Sequence, residues 1–398
     1  MKKILFVLNN TNIGGPQKSL LAILDNIDYS KFDVSLLVLN SKGILQKYIN
    51  PKTKVLTTDP LITAATIPVN QTVKYLGILL KNGNVRMCLS AIFSIIKHLT
   101  LRTNMNQERQ KFWMKYHSQL PVLTDKYDMA FGVSAGLTTY FVVDCVSANR
   151  KFHWVRSDYR ILGLSKEIEE KYFRQVDGSL AVSQQCADIF INEFPFMRGK
   201  LNVLYNYIPL TYYDNIGYDA SLMPNDQAYK TILTVCRLDP LKGIDMAIDA
   251  CEKLISKGKR IKWYILGGGQ EKTNIESMIK NRGLEDSFIL LGFQSNTLAY
   301  IQQCDIFVHP SRTEGKSNAV DEAKYVGKPI IVTNYDTVKE QIENEVTGLV
   351  CSMSGQDIAE AIEKLLDDDT LCAKLSDNCK DHMDNAYNLN DYLIRLLN

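Results

Sequence analysis

The feature that most constrains this chain is an alternation. Short, unbroken apolar runs of strand length recur at residues 3–8, Val34–Leu39, Met129–Val133, Leu180–Val182, Ile232–Val235, Trp263–Leu266, Ile289–Leu291, Ile306–Val308 and Ile330–Val332. Between many of them lie amphipathic stretches of helix length: Met246–Ser256, Asn274–Arg282, Asn318–Tyr325 and Ile358–Leu366. A strand that is apolar on both faces must be covered on both faces, and strands separated by helices pair in parallel. The spacing therefore predicts α/β architecture with parallel sheets. The opening fits: the run Ile4–Leu8 stops at Asn9, too short for a signal-peptide core, and passes through Gly14-Gly15 into a helical pattern, reading as strand, glycine turn, helix.

A length of 398 residues implies two or three domains. Tyr205–Lys230, rich in turn formers, is the expected break, giving domains at 1–205 and 230–384, a linker at 206–229 and a last helix within 385–398. Charge divides at the same place. The first 200 residues hold 26 Lys and Arg against 15 Asp and Glu, net +11, whereas the rest hold 20 against 29, net −9. Much of the basic excess lies in 69–120, where Lys74, Lys81, Arg86, Lys97, Arg102, Arg109, Lys111 and Lys115 face Glu108 alone. That bias points to an anionic surface or ligand on the N-terminal side. On a helical wheel Val85, Cys88, Ile92, Ile95, Ile96 and Leu99 share one face, with Arg86 and Lys97 well away. Two readings stay open: an interfacial helix on an anionic membrane, or a helix packed on the sheet with a solvated basic face. Nucleic acid lacks a reader motif. The nine cysteines contain no Cys-x-x-Cys pair and suggest a reducing, cytoplasmic setting without structural disulfides or a zinc ribbon.

The chemistry concentrates in the C-terminal half. After strand Ile232–Val235, Arg237 and Lys242 flank a proline turn just before a helix, an arrangement suited to an anion such as phosphate, or else two surface charges in a loop. After strand Ile306–Val308, Glu314 sits in the loop and Glu322 in the following helix, with Ser317 or Asn318 as its cap. Gly315-Lys316-Ser317 is no P-loop, because Pro310 stands where that motif needs its first glycine. Gly267-Gly268-Gly269 lacks the third glycine of the dinucleotide fingerprint, and Asp367-Asp368-Asp369 reads as a solvated helix end.

Taken together, Arg237-x4-Lys242, Ile265–Gly269, Leu291-Gly292-Phe293, Glu314-x7-Glu322 and Gly327–Ile331 resemble, in order, the family-four (group 1) retaining nucleotide-sugar glycosyltransferases. The match is dense over about 230–352 and looser in Asn9–Leu21 and Tyr127–Tyr159. The resemblance implies a GT-B fold, two Rossmann-like domains with parallel sheets facing across a cleft. The N-terminal domain would bind the acceptor and the C-terminal one a UDP-linked donor. It also implies that Arg237 and Lys242 hold the donor diphosphate in place of a metal, that Glu314 faces the transferred sugar, and that Glu322 accepts from ribose hydroxyls. The amides of Lys316, Ser317 and Asn318 would meet the β-phosphate, Gly14-Gly15 would admit the donor backbone-close, and Gly292-Phe293 would lie near the base. No other cofactor is implied. Glu314 as a covalent nucleophile is the weaker option beside front-face attack. Where the family often has Trp-x-His-x-Asp, this chain has Trp154-Val155-Arg156-Ser157-Asp158. Arg156 would contact the donor or an anionic acceptor as a fixed cation, or else the site has lost a catalytic partner. The expected function is transfer of a sugar to a cell-surface polysaccharide, teichoic-acid-like or lipid-linked acceptor, at the inner face of the membrane. The alternatives are a non-catalytic binding subunit of another transferase and a sugar-nucleotide epimerase.

Overall fold

The computed structural model describes residues 1–41, 43–66, 72–81, 83–217, 223, 228–381 and 388–397. Parts of the predicted basic segment (69–71 and 82), of the linker (218–222 and 224–227) and of the last domain boundary and final segment (382–387 and 398) lie outside them. The chain divides into two compact units, Met1–Pro209 with Tyr387–Asn398, and Leu210–Ala386.

Unit one holds β1 (Lys2–Asn10), β2 (Phe32–Ser41), β3 (Lys54–Leu56), β4 (Lys126–Gly132), β5 (Ser147–Val155), β6 (Gly178–Ala181) and β7 (Leu201–Val203). They form one sheet in the order β3-β2-β1-β4-β5-β6-β7, parallel throughout. Side chains alternate across it: Ile4, Phe6 and Leu8 enter one core, Leu5 and Val7 the other. This is why β1 reads as continuously apolar, since both faces are roofed by helices. The helix Leu389–Leu397 joins the first core through Leu389, Tyr392, Leu393 and Leu396, and Asn390 Nδ2 donates to Asn26 O at the end of helix Gly15–Asn26.

Unit two holds β8 (Lys230–Val235), β9 (Ile261–Leu266), β10 (Phe288–Gly292), β11 (Ile306–His309), β12 (Ile330–Thr333) and β13 (Leu349–Cys351), in the order β10-β9-β8-β11-β12-β13 and again parallel. Both sheets run outward from a central pair, β1/β4 and β8/β11. The chain reverses its winding there, so the loops leaving the carboxyl ends of those strands diverge and leave room for a ligand. Helix Leu210–Ile216, in the stretch expected to be a linker, belongs to unit two: Tyr212 and Tyr213 are buried and Tyr212 OH donates to Ser295 O at 2.9 Å.

One expectation fails in detail. Helix Val85–Leu101 buries Met87 and Cys88 and packs Ile92 on the core, but Val85, Ile96 and Leu99 point to solvent, together with Leu89 and Phe93. The face turned away from the core is thus mainly apolar, with Arg86 beside it, rather than basic. The wheel grouped residues by hydrophobicity, and this helix carries apolar side chains around more of its circumference than one core contact covers.

Candidate active site

The site grows from the β8/β11 junction. Beyond β8 the chain makes the turn Pro240–Lys242, capped by Asp239, whose carboxylate accepts from Leu241 N at 3.0 Å. Gly243 then starts helix Ile244–Ser256 at φ 64°, and a β-carbon there would lie 2.0 Å from Pro310 O, so the loops after β8 and β11 are in backbone contact. Arg312 fastens them together. Its guanidinium meets Asp245 through two bonds of 2.8 and 2.6 Å and donates to Pro240 O at 2.7 Å, while its amide donates to Leu241 O.

This clamp brings Lys242 to Glu314. Lys242 Nζ lies 2.5 Å from Glu314 Oε1, with both side chains largely buried. His309 Nε2 donates to the same oxygen at 2.8 Å, since an ionised carboxylate can only accept. Burial alone would push the Glu314 carboxyl up, but the Lys242 charge and the His309 hydrogen bond outweigh it and hold the group at about 2. Glu314 is therefore an anion at any physiological pH. Both donors converge on Oε1, so among the described residues Oε2 has no hydrogen-bond partner and is left for a substrate hydroxyl or a developing positive charge. Thr337 Oγ1 donates to Glu314 O at 3.1 Å and fixes the backbone of the loop.

The other predicted residues are placed as follows. Arg237 pairs with Asp239 at 3.0 Å with its side chain 77% exposed, beside Lys242 on the same loop and able to swing toward an anion. Lys316 is spent in a buried pair with Asp321 at 2.6 Å. Ser317 caps helix Asn318–Val326, and its amide donates to Gln341 Oε1 at 2.8 Å, so that amide is already satisfied within the chain. Glu322 is buried, with Oε1 accepting from Tyr213 OH at 2.6 Å and Oε2 from Thr297 Oγ1 at 2.8 Å. Burial, and then the Glu322 charge, raise the Tyr213 phenol well above its ordinary range, so it stays a donor. Gly292 has φ 69° and Phe293 is exposed beyond the end of β10. Gly14, Gly15 and Arg156 lie in unit one: Gly14 and Gly15 open the helix after β1, and Arg156 follows β5.

Sequence reasoning missed His309, Tyr213, Thr297 and Gln341. His309 had a signal, because it is the last residue of β11 and thus at the carboxyl edge. Tyr213, Thr297 and Gln341 come from distant segments and carry no local motif. Among the described residues no group of three or more His, Cys, Asp or Glu side chains is placed to hold a metal ion.

Comparison with known proteins agrees with this geometry. Residues 223–382 match the family described as Glycosyl transferases group 1. An alpha-D-kanosaminyltransferase of Streptomyces kanamyceticus is 29% identical over 150 residues, 37% of this chain and 39% of the relative. An amylovoran biosynthesis glycosyltransferase of Erwinia amylovora is 35% identical over 125 residues, 29% of this chain and 31% of the relative. The chain thus spans less than half the length of these two relatives. The crystal structure of Anabaena HepE in complex with UDP and glucose superposes over all of this chain and 99% of that one, with a TM-score of 0.68 at 17% identity. That likeness establishes the GT-B architecture, and within it residues 223–382 are a group-1 glycosyltransferase domain.

Proposed function

We propose that this protein is a retaining, metal-independent glycosyltransferase that moves a hexosyl or N-acetylhexosaminyl group from a UDP-sugar to a cell-envelope polysaccharide, teichoic-acid-like or lipid-linked acceptor. The observation that carries the reading is the convergence of Lys242 and His309 on one oxygen of a buried, ionised Glu314 at the switch point of the second sheet. Breaking a glycosyl–phosphate bond leaves negative charge on the diphosphate and positive charge on the sugar ring. Arg237, from the solvent side, and the buried Lys242 serve the first charge and Glu314 Oε2 the second, the buried Lys242 and Glu314 acting where such contacts are strongest. Glu322, held by Tyr213 and Thr297, accepts from the ribose hydroxyls, and Lys316, Ser317 and Asn318 set the helix N-terminus facing the β-phosphate. Gly292 and Phe293 flank the base. The UDP in the HepE structure and the sugar-transferring relatives support the donor class.

We infer that the acceptor is met at a membrane surface. Helix Val85–Leu101 presents Leu89 and Phe93, 62% and 66% exposed, beside the cations Arg86 and Arg102. The acid of the segment, Glu108, is occupied by Lys97 and Lys111. Exposed apolar side chains flanked by positive charge fit an anionic inner leaflet. No helix among the described residues is long and apolar enough to cross a membrane.

The reading is tested by incubating the chain with UDP-sugars in chelator and following UDP release with and without acceptor glycans. Release that depends on acceptor, persists in chelator and falls at least a hundredfold in Glu314→Gln is expected. Absolute dependence on added divalent metal, or a Glu314→Gln variant as active as the parent, refutes it. UDP-sugar interconversion with no acceptor present would identify an epimerase instead.

A further inference from the structure

The loop between β11 and helix Asn318–Val326 carries two largely buried charges of opposite sign two residues apart, Glu314 and Lys316, yet residues 310–317 belong to no helix or strand. Such a loop has no ladder to hold its peptide groups, so they must be fixed by side chains from elsewhere. Arg312 and Lys242 tie it to the loop after β8. On its other side lies the segment after β12, where Thr337 meets the backbone of Glu314 and, four residues on, Gln341 meets the backbone of Ser317.

Gln341 is buried, and both hydrogens of its carboxamide are used. Nε2 donates to Asp321 Oδ1 and to Ser317 O, and Oε1 accepts from Ser317 N, each at 2.8 Å. The placing of nitrogen and oxygen is forced, because Ser317 N can only donate and a carboxylate paired with Lys316 can only accept. The side chain thus grips the N–H and the C=O of one residue, as a neighbouring strand would. A single hydrogen bond lets a backbone swing, whereas two to the same residue fix its dihedral angles. That residue is the helix cap: Ser317, at φ −78° and ψ 114°, is where the chain turns from loop into helix, and its ψ sets the direction of the first helical amides. Asp321 extends the grip to Lys316 at 2.6 Å, and Lys324 Nζ holds Gln341 in turn through its carbonyl at 2.9 Å. An apolar side chain of the same volume would fill this space without burying polar atoms, whereas a satisfied polar network admits one arrangement.

We propose that Gln341 is a positioning residue for the donor: its carboxamide, engaged within the chain, fixes Ser317 and thereby aims the amides that open helix Asn318–Val326 at the β-phosphate. The inference rests on the transferase reading and deepens it. Aim matters here because the positive end of a helix is the sum of a few N–H dipoles and fades within one turn. The effect is also local. Glu322, the partner of the ribose, is held by Tyr213 and Thr297 independently of Gln341, so loss of Gln341 falls on the second phosphate and spares the nucleoside.

The test is a calorimetric titration of the full chain with UDP and with UMP, whose ratio of affinities isolates the β-phosphate. The parent should bind UDP about tenfold or more tighter than UMP. Gln341→Met keeps the shape and loses the polar atoms, and Gln341→Asn keeps the polar atoms and loses the reach. Each should weaken UDP about tenfold and leave UMP within about twofold of the parent. Thr337→Val, at the Glu314 end of the same segment, should keep the parent's ratio. A merely structural role would lower the melting temperature and weaken both nucleotides alike or neither. The inference falls if a folded Gln341 variant keeps the parent's ratio, if UDP and UMP weaken by the same factor, if Thr337→Val loses the ratio as far as the Gln341 variants do, or if neither Gln341 variant folds. It falls too if the parent binds UDP no better than UMP. A parent that binds neither nucleotide refutes the transferase reading and this inference with it, whereas an unchanged ratio in the variants refutes the role of Gln341 alone.

Discussion

Lys242 and Glu314, 72 residues apart in sequence, meet at 2.5 Å because Arg312 ties the loop after β11 to the loop after β8. The pair is largely buried, so each charge depends on the other. In a double-mutant cycle with Lys242→Met and Glu314→Gln, each single change should cost more stability than its share of the double change, with a coupling of about 1–3 kcal/mol by urea denaturation. Strict additivity would mean that water screens the contact. Arg312→Ala should lower transfer activity about tenfold without touching substrate, and lose most of that coupling.

Glu169 gives the fold a dependence on pH. Burial raises its carboxyl to about 7, against hydrogen bonds from Tyr140 and Gln110 that lower it. The folded state therefore holds a proton that the unfolded chain releases near pH 4.5, so stability falls as pH rises from about 4.5 to 7 and then levels off. Glu169→Gln removes this titration. Its melting temperature relative to the parent should climb between pH 5 and pH 8; a constant difference would show that Glu169 is ionised throughout.

Two adjacent glycines after β9 should respond oppositely to alanine. Gly267 has φ 143°, and a β-carbon on it would fall 1.8 Å from Cys236 O, whereas one on Gly268 meets nothing within 4 Å. Gly267→Ala should cost roughly 2–3 kcal/mol and disturb the Arg237 loop, and Gly268→Ala about nothing. Thermal melts of the two variants decide it.

Replacing Leu89 and Phe93 by aspartate should lower partition onto phosphatidylglycerol vesicles about tenfold, while melting temperature and turnover of a short soluble acceptor stay put, because both side chains already face solvent. Unchanged vesicle binding would assign the apolar stripe to another role.

Much of this was legible in the residues alone. The apolar runs that became β1, β2, β4, β8, β9, β11 and β12 were visible because a strand covered on both faces has no reason to alternate. β5 was not, since its first half, Ser-Ala-Asn-Arg-Lys, is polar, and its place is set by pairing with β4 and β6 on either side. Arg237, Lys242, Glu314 and Glu322 stood out because strand ends and helix starts bracket them. Tyr213 and Thr297, which grip Glu322, did not, because only tertiary folding brings them within reach. The outward face of helix Val85–Leu101 escaped for a different reason: hydrophobicity says which side chains avoid water but not how many of them one neighbour can cover.

Helix Leu389–Leu397 fills the first core although residues 210–386 fold elsewhere. On the ribosome the second unit can therefore close before the first is finished. Until its last helix emerges, the nascent first unit carries an open apolar seam beside Leu20, Ile23 and Leu24, a natural hold for a chaperone.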